Sequence, residues 1–193
     1  SRPGAADEQW TPPGLTTPDA ADVAALMARL ATADVTHVCM EASSHGVDQR
    51  RLDGVSLKAA AFLNLTQDHL DFHKDMDSYF QAKLLLFTSL AQDKPAIVNI
   101  DDPRAQEIIG ATRAQVITTG LSEKADIRPV GTITHGITGL SFTVKTRAGA
   151  VAVESPLVGR HNVYNILTAI GVGTALGFKG DVIQADCNGS ARS

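Results

Sequence analysis

The stretch "LKAAAFLNLTQDHLDFHKDMDSYFQAKLLLF", residues 57–87, decides the fold. Residues 57–65 form a nearly continuous apolar run of strand length, the pattern of a strand covered on both faces. A polar loop, 66–75, follows it. From Ser78 the period changes: Tyr79, Ala82, Leu86, Phe87 and then Leu90 fall on one helical face. "PAIVNI" (95–100) is a second apolar strand. Strand, helix, strand in that order is a parallel βαβ unit.

One residue disturbs the helical face. Lys83 lies on it, between Tyr79 and Phe87. Lysine is almost never fully buried without a partner. Either its stem covers the core while the ammonium reaches water, or the site gives the amine something to do.

The same grammar extends outward. Residues 1–15 are rich in Pro, Gly and polar groups and read as loop. "TTPDAADVAALMARLA" (16–31) begins a helix, with Thr17 as N-cap, Pro18 at the first helical position and Asp19 and Asp22 at the positive end of the dipole. Val23, Leu26, Met27 and Leu30 form its apolar stripe, and "VTHVCM" (35–40) reads as a buried strand. Downstream, "DDPRAQEII" (101–109) turns into a short helix and "AQVITTG" (114–120) is a further strand. From about 125 to 158 the pattern becomes short alternating strands with Gly-containing turns, an antiparallel meander. "NVYNILTAIGVGTALG" (162–177) is a final helix, and 179–193 an irregular tail. The expected fold is α/β: a mostly parallel sheet flanked by helices, with a small antiparallel β subdomain. One domain spans 16–178.

Bulk composition narrows the function. Of 193 residues, 44% are hydrophobic and 20% charged, with a net charge of −4 and acids and bases interspersed. No basic stripe suggests nucleic acid, and no apolar run has transmembrane length. Cys39 and Cys187 suggest no disulfide framework. A soluble, cytoplasmic protein is the expectation.

In open α/β sheets, ligands bind beyond the carboxyl ends of the strands. "MEASSHGVDQRR" leaves one such end and carries Glu41; "NLTQDHLDFH" leaves another and carries Asn64, Asp68, His69, Asp71 and His73. Lys83 follows early in the next helix, so Glu41, His69 and Lys83 can share one rim. Glu41 also reads as a solvated loop acid, and His69 beside Asp68 as a turn residue. His69 and His73 have helical zinc-pair spacing, without the glutamate that follows the first histidine in H-E-x-x-H. Ser43, Ser44 and His45 are sequence neighbours, which is not how a triad is assembled, and read as hydrogen-bond donors.

"TTPDA", "MEASSHGVDQRRLDGV", "NLTQDHLDFHKDMDSYFQAKLLLF", "VNIDDP" and "LVGRHNVYNILTAIGVGTALG" occur in that order. Together they resemble the central, P-loop NTPase-like domain of the Mur ligases, over about residues 14–178. The resemblance points to the branch that adds a diamino acid to UDP-MurNAc-L-Ala-D-Glu. It implies an ATP-dependent ligase of peptidoglycan precursor synthesis, monomeric and cytoplasmic, working through an acyl phosphate. It also gives Lys83 a role. The family's lysine there is carbamylated by carbon dioxide, and Glu41, His69 and the Lys83 carbamate hold Mg²⁺. Thr16, Thr17, Ser43, Gln49 and Arg51 correspond to residues that bind the UDP-muramyl dipeptide, and Asn162 and Asn165 to residues beside the adenine of ATP. The chemistry suits a lysine in a partly apolar place, whose neutral amine attacks carbon dioxide and becomes an anionic metal ligand.

The sequence departs from the family in one respect: no G-x-x-x-x-G-K-[ST] loop is present. The expectation is therefore a piece of a three-domain enzyme, lacking the P-loop, the N-terminal UDP-binding domain and the C-terminal domain, and inactive alone. Three rivals stand beside it. A folylpolyglutamate synthetase-like ligase is disfavoured by the "SSHGVDQRR" loop, and a carbamylated-lysine amidohydrolase needs more histidines in ligand spacing. The third is a muropeptide-binding module without turnover. Between meso-diaminopimelate, the expected diamino acid, and L-lysine, the residues themselves do not choose.

Overall fold

A computed structural model of the chain describes residues 16–65, 76–137 and 139–187. The described residues divide into two compact units, one of 16–56 and 76–86, the other of 57–65 and 87–187. The parallel and antiparallel sheets fall in the same unit.

The first unit holds α1 (Ala20–Thr32), α2 (Ser44–Asp48) and most of α3 (Met76–Thr88). The N-cap of α1 is Asp19, in extended conformation and without a side-chain cap bond, rather than Thr17. Thr17 is absent from that role because its hydroxyl is bound elsewhere, as described below. Asp22 in the first turn and Arg29 in the last suit the helix dipole. Of the expected stripe only Val23 is fully buried; Leu26, Met27 and Leu30 are half-buried. Asp34, at φ 57°, ends the helix in the left-handed region, and the Val35 N–H closes back on the Leu30 carbonyl at 3.0 Å.

Residues 35–40 correct the sequence reading. They form no regular element and pair with no strand among the described residues, and Val35 and Val38 are exposed. An apolar run becomes a buried strand only where a neighbour supplies its ladder of hydrogen bonds. In α3, Tyr79, Phe80 and Ala82 are buried while Lys83 and Leu86 are half-buried, so the buried arc is wider than predicted and includes Phe80.

The second unit carries β1 (Ala60–Phe62), β2 (Pro95–Asn99), α4 (Ala105–Ala111) and β3 (Gln115–Thr119). The three strands form a parallel sheet in the order β1-β2-β3. Central β2 is sealed: Ala96, Ile97 and Val98 have no exposed surface, as a strand covered on both faces requires. The predicted strand over 57–65 shrinks to three residues because side chains of the turn after β2 take the backbone groups of Leu63 and Leu65. The far edge of β3 is covered by a side chain. Asp126 accepts from the Thr118 N–H (3.0 Å) and hydroxyl (2.8 Å), and its own N–H donates to the Thr118 hydroxyl (2.9 Å).

The meander follows as β4 (Arg128–Gly136), β5 (Gly139–Thr146) and β6 (Gly149–Ser155), antiparallel in that order. On β5 the alternation is clean, with Leu140, Phe142 and Val144 inward. Helix α5 (Arg160–Ala175) packs on all three parallel strands and on β5. Its Val163, Ile166, Leu167 and Ile170 join Phe142, Val144 and Val153 in one core. The tail is not irregular throughout: Gly180–Cys187 form α6, which packs on β6 and α5 and buries Ile183. No described helix is long and apolar enough to cross a membrane.

Candidate functional site

Thr17 organises the first unit. It is fully buried, and its hydroxyl makes three bonds. It donates to the Glu41 carbonyl (2.9 Å) and accepts from the Ser43 N–H (2.9 Å) and the Ser43 hydroxyl (2.9 Å). One donor and two lone pairs are then all used. The Thr17 hydroxyl therefore ties the backbone at Glu41 and Ser43 together. Ser43 is also the N-cap of α2, accepting from the Gly46 N–H at 3.1 Å. Gly46 is required by proximity: a Cβ there would lie 2.6 Å from the Thr17 side chain.

Arg51 closes the cluster from the other side. It donates to the Thr17 carbonyl at 2.6 Å and forks onto the Gln49 side-chain oxygen at 2.6 and 3.1 Å. Asp19 lies 3.4 Å from its Nε. Four of the five expected acceptor residues, Thr17, Ser43, Gln49 and Arg51, are thus joined in one hydrogen-bonded group, and Thr16 is exposed beside them. The pairing of Asp19 with Arg51 had no signal beyond helix-dipole preference.

Glu41 links this group to Lys83. Its carbonyl is held by Thr17, and its side chain belongs to an exposed residue. The Lys83 ammonium sits 5.1 Å from the centre of the Tyr79 ring. Burial pulls the Lys83 amine below the ordinary lysine value, and the Glu41 charge restores part of the shift. Among the described residues Lys83 forms no closed ion pair, and its half-burial sets it apart from a free snorkelling lysine. Among the described residues no cluster of three or more His, Cys, Asp and Glu could hold a metal ion. An ammonium beside one carboxylate repels a cation, but a carbamate on the same nitrogen attracts one, so Glu41 and Lys83 fit Mg²⁺ only in the carbamylated state. His69 and His73 lie outside the described residues.

In the second unit the end of β2 and the turn after it, "NIDD" (99–102), hold the segments that leave both neighbouring strands. Buried Asn99 donates to the Leu63 carbonyl (2.6 Å), and Asp102 accepts from the Leu65 N–H (2.8 Å) and the Arg104 N–H (2.8 Å). On the other side Asp101 accepts from the Leu121 N–H at 2.6 Å. At the start of α5, Asn162 donates to the Val158 carbonyl (2.8 Å), and Asn165 donates to the Asn162 side-chain oxygen (3.0 Å). Asn165 is exposed and Asn162 half-buried.

The Mur ligase middle domain matches residues 4–173 of this sequence. The chain belongs to the Mur ligase family. Among curated Mur ligases, the UDP-N-acetylmuramoyl-L-alanyl-D-glutamate–2,6-diaminopimelate ligase of Geobacter metallireducens is 40% identical over 191 residues, covering 96% of this chain and 37% of its own length. The ligase of the same name from Caulobacter vibrioides is 44% identical over 187 residues, covering 92% and 37%. A solved structure of a ligase of that name superposes with a TM-score of 0.80 at 31% identity, over 88% of this chain and 35% of that one. The chain spans about a third of the length of the curated Mur ligases it matches.

The motif "VNIDDP" carries Asn99, Asp101 and Asp102, whose backbone-binding roles are not among the sequence expectations. The signal was available: polar residues at the end of a buried strand and in the turn after it are placed to bind backbone, as Asx turns do.

Proposed function

We propose that the chain is the middle domain of an ATP-dependent ligase that joins meso-diaminopimelate to the D-Glu carboxylate of UDP-MurNAc-L-Ala-D-Glu. The names of the relatives support the substrate class, and family membership supports ATP. The observation that carries the reading is Lys83: a half-buried lysine, over a ring and near Glu41, with its amine made easier to deprotonate.

In this reading ATP phosphorylates the carboxylate, the diamino acid's amine attacks the acyl phosphate, and phosphate leaves. The first step brings two anions together, and the enzyme must offset their repulsion. Glu41, His69 and carbamylated Lys83 would hold Mg²⁺, which when bound screens those charges. Ser43, Gln49, Arg51 and Thr16 form the acceptor wall. Thr17 fixes Glu41 and Ser43 to one another, so metal ligand and acceptor wall share one rigid support. Asn162 and Asn165 take the adenine edge. The protein works in the cytoplasm as a monomer.

The test is phosphate release and tripeptide formation by the full-length gene product. Lys83→Ala is expected to abolish ligation while the circular dichroism spectrum is kept. Full activity in that variant, or L-lysine used in preference to meso-diaminopimelate, would overturn the reading.

A further inference from the structure

We infer that Asp19 is a positioning residue for the acceptor substrate: its carboxylate, unused as a helix cap, holds the Arg51 guanidinium and leaves two of its N–H groups for a ligand. The inference rests on the acceptor role proposed above for Arg51.

Asp19 stands at the N-cap of α1 in extended conformation, yet its side chain makes no cap bond. Aspartate is among the best N-cap residues because its carboxylate accepts from N–H groups of the first turn. Here the carboxylate lies 3.4 Å from the Arg51 Nε instead. The carbonyl of Thr17, two residues earlier, accepts from a terminal nitrogen of the same guanidinium at 2.6 Å. Pro18 stands between the two, and its ring fixes φ. Both acceptors therefore belong to one short, stiff segment at the entry to α1.

Arg51 is held at both ends. Its backbone N–H donates to the Gly46 carbonyl at 2.8 Å. Its guanidinium carries five N–H groups in a rigid, planar fork. The Nε–H goes to the Gln49 side-chain oxygen at 3.1 Å, with Asp19 beside it. One terminal nitrogen donates to the same Gln49 oxygen and the other to the Thr17 carbonyl. One N–H on each terminal nitrogen then has no partner among the described residues. A plane fixed at three points sets the direction of the remaining two donors, and such a pair suits a carboxylate or a phosphate. Gln49 and the Thr17 carbonyl are neutral acceptors. The Arg51 side chain is only 13% exposed, and a largely buried cation needs a counter-charge. Among the described residues Asp19 supplies it, and it does so at Nε, without occupying either terminal nitrogen.

Two substitutions in the full-length gene product separate positioning from helix capping. Serine caps a helix about as well as aspartate but is too short to reach Arg51, whereas asparagine caps and still offers Arg51 an oxygen. Affinity for UDP-MurNAc-L-Ala-D-Glu, measured by calorimetry, is expected to fall roughly two- to five-fold in Asp19→Ser, the scale of one partly exposed charged contact. The loss is expected to be smaller in Asp19→Asn, and ATP affinity to be unchanged in both. The Arg51 Nε–H signal in nitrogen-15 NMR spectra, assigned by its disappearance in Arg51→Ala, is expected to shift or broaden in Asp19→Ser. A role confined to capping would leave acceptor affinity and that signal at their parent values in both variants, and that result overturns the inference. Tighter acceptor binding in Asp19→Ser also overturns it, because Asp19 would then compete with the substrate for Arg51. Unchanged acceptor affinity in Arg51→Ala overturns the acceptor reading instead, and the Nε–H signal still decides whether Asp19 holds the guanidinium.

Discussion

The two units are held together by different physics. Residues 57–65 and 87–187 are organised by burial: β2 is sealed, and α5 unites two sheets around one apolar core. In the other unit Tyr79, Phe80 and Ala82 of α3 are buried, but residues 16–56 depend on a few polar links, with Val23 the one fully buried side chain of α1 and Thr17 binding Glu41, Ser43 and Arg51. Burial is additive and tolerant; a saturated hydroxyl is neither. The unit with the stronger core carries the nucleotide candidates, and the polar unit carries the residues proposed for chemistry.

The contrast predicts different responses to mutation. Leu167→Ala, at a site with no exposed surface, is expected to cost about 2–5 kcal/mol and to lower the main thermal transition. A loss below about 1 kcal/mol would mean that α5 is not the centre of that core. Gly46→Ala is expected to cost about 1–3 kcal/mol, the scale of overpacking, because its Cβ would enter the Thr17 side chain. Its effect should be local, with faster hydrogen exchange over 16–51 and unchanged protection of β2. Uniformly faster exchange would break the comparison.

Periodicity read the burial-driven unit well. β2, β3, the meander and α5 appear within a few residues of their expected places, because in each a repeating apolar pattern meets a partner. The same logic misread 35–40, where the pattern exists but no partner strand lies among the described residues. It missed α6, where Ile183 is buried and eight residues offer little period. Thr17 failed as an N-cap for a related reason. Local preference says that a threonine before a helix will bind backbone, but not that the backbone lies 24 residues away. The acceptor cluster came from resemblance, and the fold joins Thr17, Ser43, Gln49 and Arg51.

The smallest expected effect concerns the β3 edge. Burial opposes the charge on Asp126, but bonds from Thr118 and Arg147 outweigh it and hold the carboxyl below the ordinary aspartate range. Its contribution to stability is fully present above the ordinary aspartate value and is lost as pH falls through its depressed native value. Asp126→Asn should flatten the acid limb of stability against pH by a small amount. An acid limb identical to that of the parent would show that the edge is not held by this carboxylate.

The account turns on the nitrogen of Lys83. Its most direct measurement is a carbon-13 NMR spectrum of the protein in carbon-13 bicarbonate, compared with that of Lys83→Arg, whose guanidinium forms no such carbamate. A carbamate carbonyl signal present in the parent, absent in the variant and strengthened by Mg²⁺ is predicted. Identical spectra from the two proteins, with Mg²⁺ present, would contradict it.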